Sequence, residues 1–464
     1  MIVARTNIHP SMRPLEPTRT MTPSLQAARG IRRVSAALLV LAAVPLSLPA
    51  QRAAAARTAL GFAPDRLARI DRFLQERVDS NRIAGAVALV LRDGQVAYQK
   101  TVGWSDRESR RAMTPDDVFR IASQSKAITS TAILMLAEEG KLAINDPVSM
   151  YIPSYAHTTV ASRADSGRTV VPARRQITIK DLLTHTAGIS YGQEPFIAQQ
   201  YAAKGLGNGT GLGFYTADKN EPVCTTMETL ATLPFVSQPG EAYVYGYNTD
   251  ILGCVVERAS GIPLDQFIRT RITAPLGMKD THFFLPKTER TRLATLYATD
   301  STGHAVRAPD GRMGQGDYVD GPRRNFSGGA GLLSTAHDYA RFLQMVLNRG
   351  ELDGARILSP KMVDLMTSNQ SGTLHNQNGL GFGLGFETVD RLGADGMKSV
   401  GSFGWGGAYG STYFVDPAER LVVVFMINQL PLRSDVASKL PTLVYQALLA
   451  PAIRSDWSAR ATQR

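Results

Sequence analysis

The stretch Phe119-Arg-Ile-Ala-Ser123-Gln-Ser-Lys126-Ala-Ile-Thr129 sets a serine three residues ahead of a lysine, at the point where an apolar helix begins. Positions i and i+3 share a helix face, so the ammonium of Lys126 can reach the hydroxyl of Ser123. The run Ile128, Ile133, Leu134, Met135 and Leu136 makes the following helix strongly apolar, the pattern of a buried central helix. A lysine in the first turn of such a helix is hard to explain as a solvated surface residue.

The chemistry needs both residue types. A serine hydroxyl is a poor nucleophile until a neighbouring base accepts its proton, and a lysine can be that base when burial or nearby cations move its pKa towards neutrality. A helix N-terminus also leaves backbone N–H groups unpaired, and that of Ser123 can face a developing oxyanion. One turn can therefore supply nucleophile, base and half an oxyanion hole.

On the N-terminal side of this turn, Ala63 to Ser80 has helical periodicity, with Leu67, Ile70, Phe73 and Leu74 on one face. Ala86 to Leu91 reads as a strand, Asp93-Gly94 as a tight hairpin turn and Gln95 to Gly103 as the partner strand. On the C-terminal side, Ile177 to Gly188 reads as a short helix, and Ile251 to Ser260, Leu264 to Ile272 and Ala336 to Asn348 as further helices. The stretch from Asp146-Pro147 through Gln176, residues 203–222 and residues 296–328 read as loops. Gly410 to Val415 and Leu421 to Ile427 form a second hairpin, followed by a terminal helix through Leu449. Strands lie at both ends and helices between them. The expected fold is α+β: an antiparallel sheet built from N- and C-terminal segments, flanked by helices, with a mostly helical insertion. The expected layout is a leader over 1–56, an α/β domain over 57–140 and 326–455, the insertion over 141–325, and a tail from 456.

Arg29, Arg32 and Arg33 precede the apolar run Val34 to Ala50, and Ala53 to Ala56 follow it, the pattern of a secretory signal. The run is short and interrupted by proline, so no lasting membrane span is expected, and the destination is periplasmic or secreted. The chain carries a formal charge of +11, and removing residues 1–56, with seven Arg and one Glu, leaves +5. No basic block interleaved with aromatics points to nucleic acid. Cys224 and Cys254 are the only cysteines, able either to pair after export or to remain as buried thiols. The seven histidines are scattered without a His-x-x-x-His pair, which argues against a metal site, and nothing calls for a cofactor.

Three ordered segments together resemble the serine β-lactamase and penicillin-recognising superfamily, in particular its class C-like branch and the related family VIII carboxylesterases. They are Ser123-Gln-Ser-Lys126, Tyr243-Val-Tyr245-Gly-Tyr-Asn-Thr-Asp250-Ile-Leu-Gly253, and Phe403-Gly-Trp405-Gly406-Gly407-Ala-Tyr-Gly410. Leu-Leu-Thr-His185-Thr-Ala-Gly188 and Gly328-Gly-Ala-Gly331 support them. The resemblance implies that Ser123 is acylated, that Lys126 and Tyr245 share the acid–base work, and that the N–H groups of Ser123 and Ala408 bind the oxyanion. It implies further that Trp405, Gly406 and Gly407 form the strand edge beside the acyl group.

Departures from the family pattern narrow the expectation. Where many lactamases carry a lysine that holds the substrate carboxylate, this chain has Trp405, which favours neutral esters over anionic lactams or peptide C-termini. Tyr247 stands where an amide-contacting asparagine is usual, with Asn248 one place late. His185 and Asp250 read as structural residues. A rival motif, Gly188-Ile-Ser190-Tyr-Gly192, fits the nucleophile elbow Gly-x-Ser-x-Gly but lacks a preceding strand. The expected activity is hydrolysis of carboxylic esters through an acyl-serine, with peptidase, amidase or weak β-lactamase activity, or non-catalytic peptide binding, as alternatives. The expected partner is a small ester or short peptide; oligomeric state is not legible.

Overall fold

The computed structural model describes residues 60–450, apart from 165, 166, 211 and 376. The leader read over 1–56 and the tail from 456 lie outside these residues.

An eight-stranded antiparallel sheet runs in the order Leu380–Phe382, Glu387–Val389, Phe403–Gly406, Thr412–Asp416, Leu421–Met426, Gly85–Arg92, Gln95–Asp106 and Arg111–Ala112. The two ends of the chain meet in its middle, where Val87 pairs with Met426 and Arg92 with Leu421. The N-terminal hairpin turns at Asp93 and Gly94, with φ of 51° and 74°, values that suit the primed turns of twisted hairpins.

Gly85–Arg92 is apolar up to Leu91 and buried at every position because both faces of the sheet are covered. Val87, Leu89 and Leu91, with Val422, Val424 and Met426, join the large core around the serine helix. Ala88 and Val90, with Leu421, Val423 and Phe425, point the other way into a core shared with the terminal helices Pro64–Asp79 and Val436–Tyr445. The strand period of two thus divides one apolar run between two layers.

Helix Ser125–Glu138 is the central element, with Ser125 to Leu136 all buried. It packs against helix Asn248–Ser260. A disulfide between Cys224 and Cys254 ties that helix to Val223–Leu230. No helix among the described residues is long and apolar enough to cross a membrane.

The α+β class, the two hairpins and the flanking helices agree with the sequence reading, and three features differ. The segments read as loop carry short hairpins of their own, Thr159–Ala164 with Gly167–Pro172 and Tyr297–Thr299 with Ala305–Arg307. Leu380–Phe382 and Glu387–Val389 extend the sheet, although three residues each leave no room for visible alternation. The helix from Leu264 ends at Ile268 and widens into a π turn over Arg269–Thr273.

Candidate active site

Ser123 sits in a 3-10 turn, Ala122–Gln124, that leads directly into helix Ser125–Glu138. The residue before it, Ala122, has a φ of +43°, a left-handed conformation that costs a non-glycine residue about 1–3 kcal/mol. Neighbouring bonds hold it there: Ile121 N–H donates to the Leu332 carbonyl at 3.1 Å, Leu332 N–H to Ser125 Oγ at 3.0 Å, and the Tyr339 hydroxyl to the Gln124 carbonyl at 2.9 Å. From Ile121 to Lys126 only Ser123 is partly exposed. The turn offers that one hydroxyl to the cleft.

Lys126 is 2% exposed, and its Nζ donates to the Gly329 carbonyl at 2.8 Å, to Tyr191 Oη at 3.0 Å and to Ser123 Oγ at 3.4 Å. It makes no ion pair among the described residues. Asp250 is near enough to feel its charge, but Asp250 Oδ1 instead accepts from Ser327 Oγ at 2.5 Å and Gly329 N–H at 3.1 Å. Burial pushes the Asp250 carboxyl up, against the pull of Lys126 and these bonds. A Cβ at residue 329 would lie 2.5 Å from Asp250 Oδ2, so only glycine lets the loop approach closely enough to present its carbonyl to Lys126.

Tyr245 lies beside the lysine in a way the sequence did not foretell. Its ring face is 4.6 Å from Lys126 Nζ, while its hydroxyl accepts the indole N–H of Trp405 at 3.0 Å. The phenol bonded to Lys126 is Tyr191, from the rival Gly-x-Ser-x-Gly motif. That motif is no elbow: Ser190 is buried in a loop, where its Oγ donates to Glu194 at 2.7 Å and accepts from Gly192 N–H at 3.0 Å. Its reading as a serine motif drew attention away from the tyrosine beside it.

Residues 243–247 are irregular rather than a strand, and their three tyrosines meet different partners. Tyr243 packs on His375. Tyr247 is fully buried; its hydroxyl takes Gly207 N–H at 2.9 Å and donates to the Gly213 carbonyl, tying down the glycine-rich loop. Asn248 directs its Nδ2 at His185 Nδ1 at 3.0 Å and at the carbonyls of Ile189 and Val244, both at 3.1 Å. Neither residue offers an amide contact to the cleft. Burial, with the charge of Lys126 next in importance, holds the His185 imidazole well below its usual range, so it is neutral and structural.

Trp405 and Gly406 pair with Tyr413 and Thr412 on one side, while pairing on the other side ends at Gly404. Beyond that point the strand presents a free edge to the cleft. A Cβ at residue 407 would lie 2.4 Å from the Ile121 carbonyl, which places this edge directly against the serine turn. Gly407 N–H donates to the Ser411 carbonyl at 2.7 Å, whereas Ala408 N–H has no acceptor among the described residues. The arrangement can pass a proton from hydroxyl to amine and offer backbone donors to an oxyanion.

The family model for β-lactamase matches residues 70–446. The chain belongs to the β-lactamase family. Esterase EstB of Burkholderia gladioli is 33% identical over 377 residues, 78% of this chain and 90% of that protein. A putative D-alanyl-D-alanine carboxypeptidase of Salmonella enteritidis is 27% identical over 424 residues, covering 86% and 90% of the two chains. The solved structure of EstCE1, described as a hydrolase with promiscuous acyltransferase activity, superposes with a TM-score of 0.70 at 26% identity, over 85% of this chain and 100% of that one. This member of the β-lactamase family is a serine hydrolase.

Proposed function

We propose that this hydrolase cleaves carboxylic esters through an acyl-enzyme on Ser123. The observation that carries the ester preference is Trp405. At the position where a cation would hold a substrate carboxylate stands an indole, and its one N–H is already given to Tyr245 at 3.0 Å. The likeness to a protein named an esterase supports the same reading.

In the proposed cycle Ser123 Oγ gives its proton to Lys126 Nζ as it attacks the ester carbonyl, and the N–H groups of Ser123 and Ala408 receive the oxyanion. The ester C–O bond then breaks as the proton taken up by Lys126 passes to the leaving alkoxide, with the Tyr245 hydroxyl assigned to relay it. Water attacks the acyl-serine, losing its proton by the same route, and carboxylic acid and free Ser123 result. Trp405, Gly406 and Gly407 flank the acyl group throughout. Export to the periplasm or medium completes the reading, supported by the Cys224–Cys254 disulfide, a bond that persists in oxidising compartments.

The test is a screen of p-nitrophenyl esters, nitrocefin and D-alanyl peptides, with intact-mass detection of the acyl-enzyme in the wild type and in Ser123→Ala. The expected result is ester turnover with the highest kcat/KM and an adduct that disappears in Ser123→Ala. Faster nitrocefin or peptide turnover would instead favour the lactamase or carboxypeptidase reading, and an adduct that persists in Ser123→Ala defeats the mechanism. N-terminal sequencing of the periplasmic protein, with a start between Gln51 and Arg57 expected, tests export.

A further inference from the structure

Lys126 Nζ has three polar neighbours at unequal distances. The two short contacts, to the Gly329 carbonyl at 2.8 Å and Tyr191 Oη at 3.0 Å, fix the direction of the amine; the long one, at 3.4 Å, is to Ser123 Oγ. We propose that Tyr191 is a positioning residue for the hydrolytic step: with the Gly329 carbonyl it anchors two of the N–H bonds of Lys126 and so sets how the amine meets Ser123 Oγ. The inference rests on the reading of Ser123 as nucleophile and Lys126 as its base.

Three observations beyond the distances point the same way. Lys126 is 2% exposed, so water has little room to replace a lost partner. Both short acceptors are neutral. Burial, and after it the neighbouring Tyr245 and Asp250, hold the Tyr191 phenol well above its usual value, so it stays protonated at neutral pH. A phenolate or carboxylate in that place would fix the lysine as an ammonium; a neutral oxygen orients the amine and leaves it free to take a proton. Asp250, the carboxylate within range, has its Oδ1 turned to Ser327 and Gly329 instead.

The support for Tyr191 is rigid. Its ring stands edge-on to Tyr247 at 4.9 Å between centroids, to Tyr245 at 5.9 Å and to Phe214 at 6.4 Å. The Ser190 hydroxyl pins the turn beside it. A purely packing role for Tyr191 would be met equally well by phenylalanine.

That difference is the test. Tyr191→Phe keeps the ring contacts and removes the oxygen. Steady-state kinetics on a p-nitrophenyl ester should show kcat lower by roughly tenfold or more, the scale of a misaligned acid–base group, with KM within about twofold of wild type. The acidic limb of the kcat/KM pH profile should move, and the melting temperature should stay close to wild type. A kcat within about twofold of wild type with an unmoved pH profile overturns the inference. Should Tyr191→Phe fail to fold, 3,5-difluorotyrosine at position 191 weakens the oxygen as an acceptor without removing the ring, and the same kinetic and pH outcomes decide. Ser123→Ala measured alongside separates the layers: labelling lost there with normal Tyr191→Phe kinetics sinks the positioning role alone, and labelling that persists sinks the nucleophile reading beneath it.

Discussion

Replacing Trp405 by phenylalanine isolates the bond that distinguishes this cleft from one carrying a lysine at the same place. The ring face is retained, so contacts with Phe382 at 5.3 Å, Tyr245 at 5.5 Å and His375 at 6.2 Å survive in part, while the donor to Tyr245 Oη at 3.0 Å is lost. To a neutral phenol that bond is worth about 1 kcal/mol; to a phenol sharing its proton with the reaction it is worth about 1.5–3 kcal/mol. The difference acts only in the transition state, so kcat should fall by roughly two- to thirtyfold and KM much less. Initial rates with a p-nitrophenyl ester, compared at matched thermal stability, measure it. A kcat within about twofold of wild type would refute a proton-transfer role for Tyr245.

Three further outcomes are expected. Opening the disulfide by Cys224→Ala with Cys254→Ala, at a separation of 30 residues, should lower unfolding free energy by about 3–4 kcal/mol, and a loss below about 1 kcal/mol in denaturant titration would contradict it. Tyr247→Phe leaves Gly207 N–H and the Gly213 carbonyl without their partner, so it should cost about 1–3 kcal/mol and expose residues 203–222 to protease rather than change ester preference; an altered preference at unchanged stability would contradict this. Burial pushes the Asp338 carboxyl up to about 6 from 3.8, so its contribution to stability is fully present below the lower value and lost as pH rises through the higher one. Asp338→Asn keeps an acceptor for Asp280 N–H at 2.7 Å and Thr281 Oγ1 at 3.0 Å. It should therefore gain about 2–3 kcal/mol over wild type near pH 8 and little near pH 4, and a pH-independent difference in melting temperature would refute it.

The elements legible in the sequence were those whose periodicity runs long enough to be unambiguous. Gly85–Arg92 and Leu421–Met426 read as strands, and Ser125–Glu138 as a buried helix, because each buries a continuous apolar run. Spacing alone brought Ser123 and Lys126 onto one turn. What spacing could not carry was contact across loops. Tyr191 is 65 residues from the lysine it bonds, in a segment whose glycines advertised a different serine. Tyr247 and Asn248 were read from the family position of an amide-contacting asparagine, but the chain turns into helix Asn248–Ser260 at that point and sends them to buried partners instead. The Trp405 bond to Tyr245 joins residues 160 apart, and no local pattern in either segment announces it.

The pairing of Gly85–Arg92 with Leu421–Met426 also sets an order of events during synthesis. The strand that begins the sheet emerges from the ribosome early, and its central neighbour only when nearly the whole chain has been made. Until then the apolar face of Val87 and Leu89 lacks Val424 and Met426, and the long loop between the two strands must be closed against its entropy. The Trp405 edge, which meets the serine turn, is also made late. A nascent chain therefore carries Ser123 and Lys126 for most of its elongation without the wall they work against, and hydrolytic competence arrives only as the last strands are threaded into place.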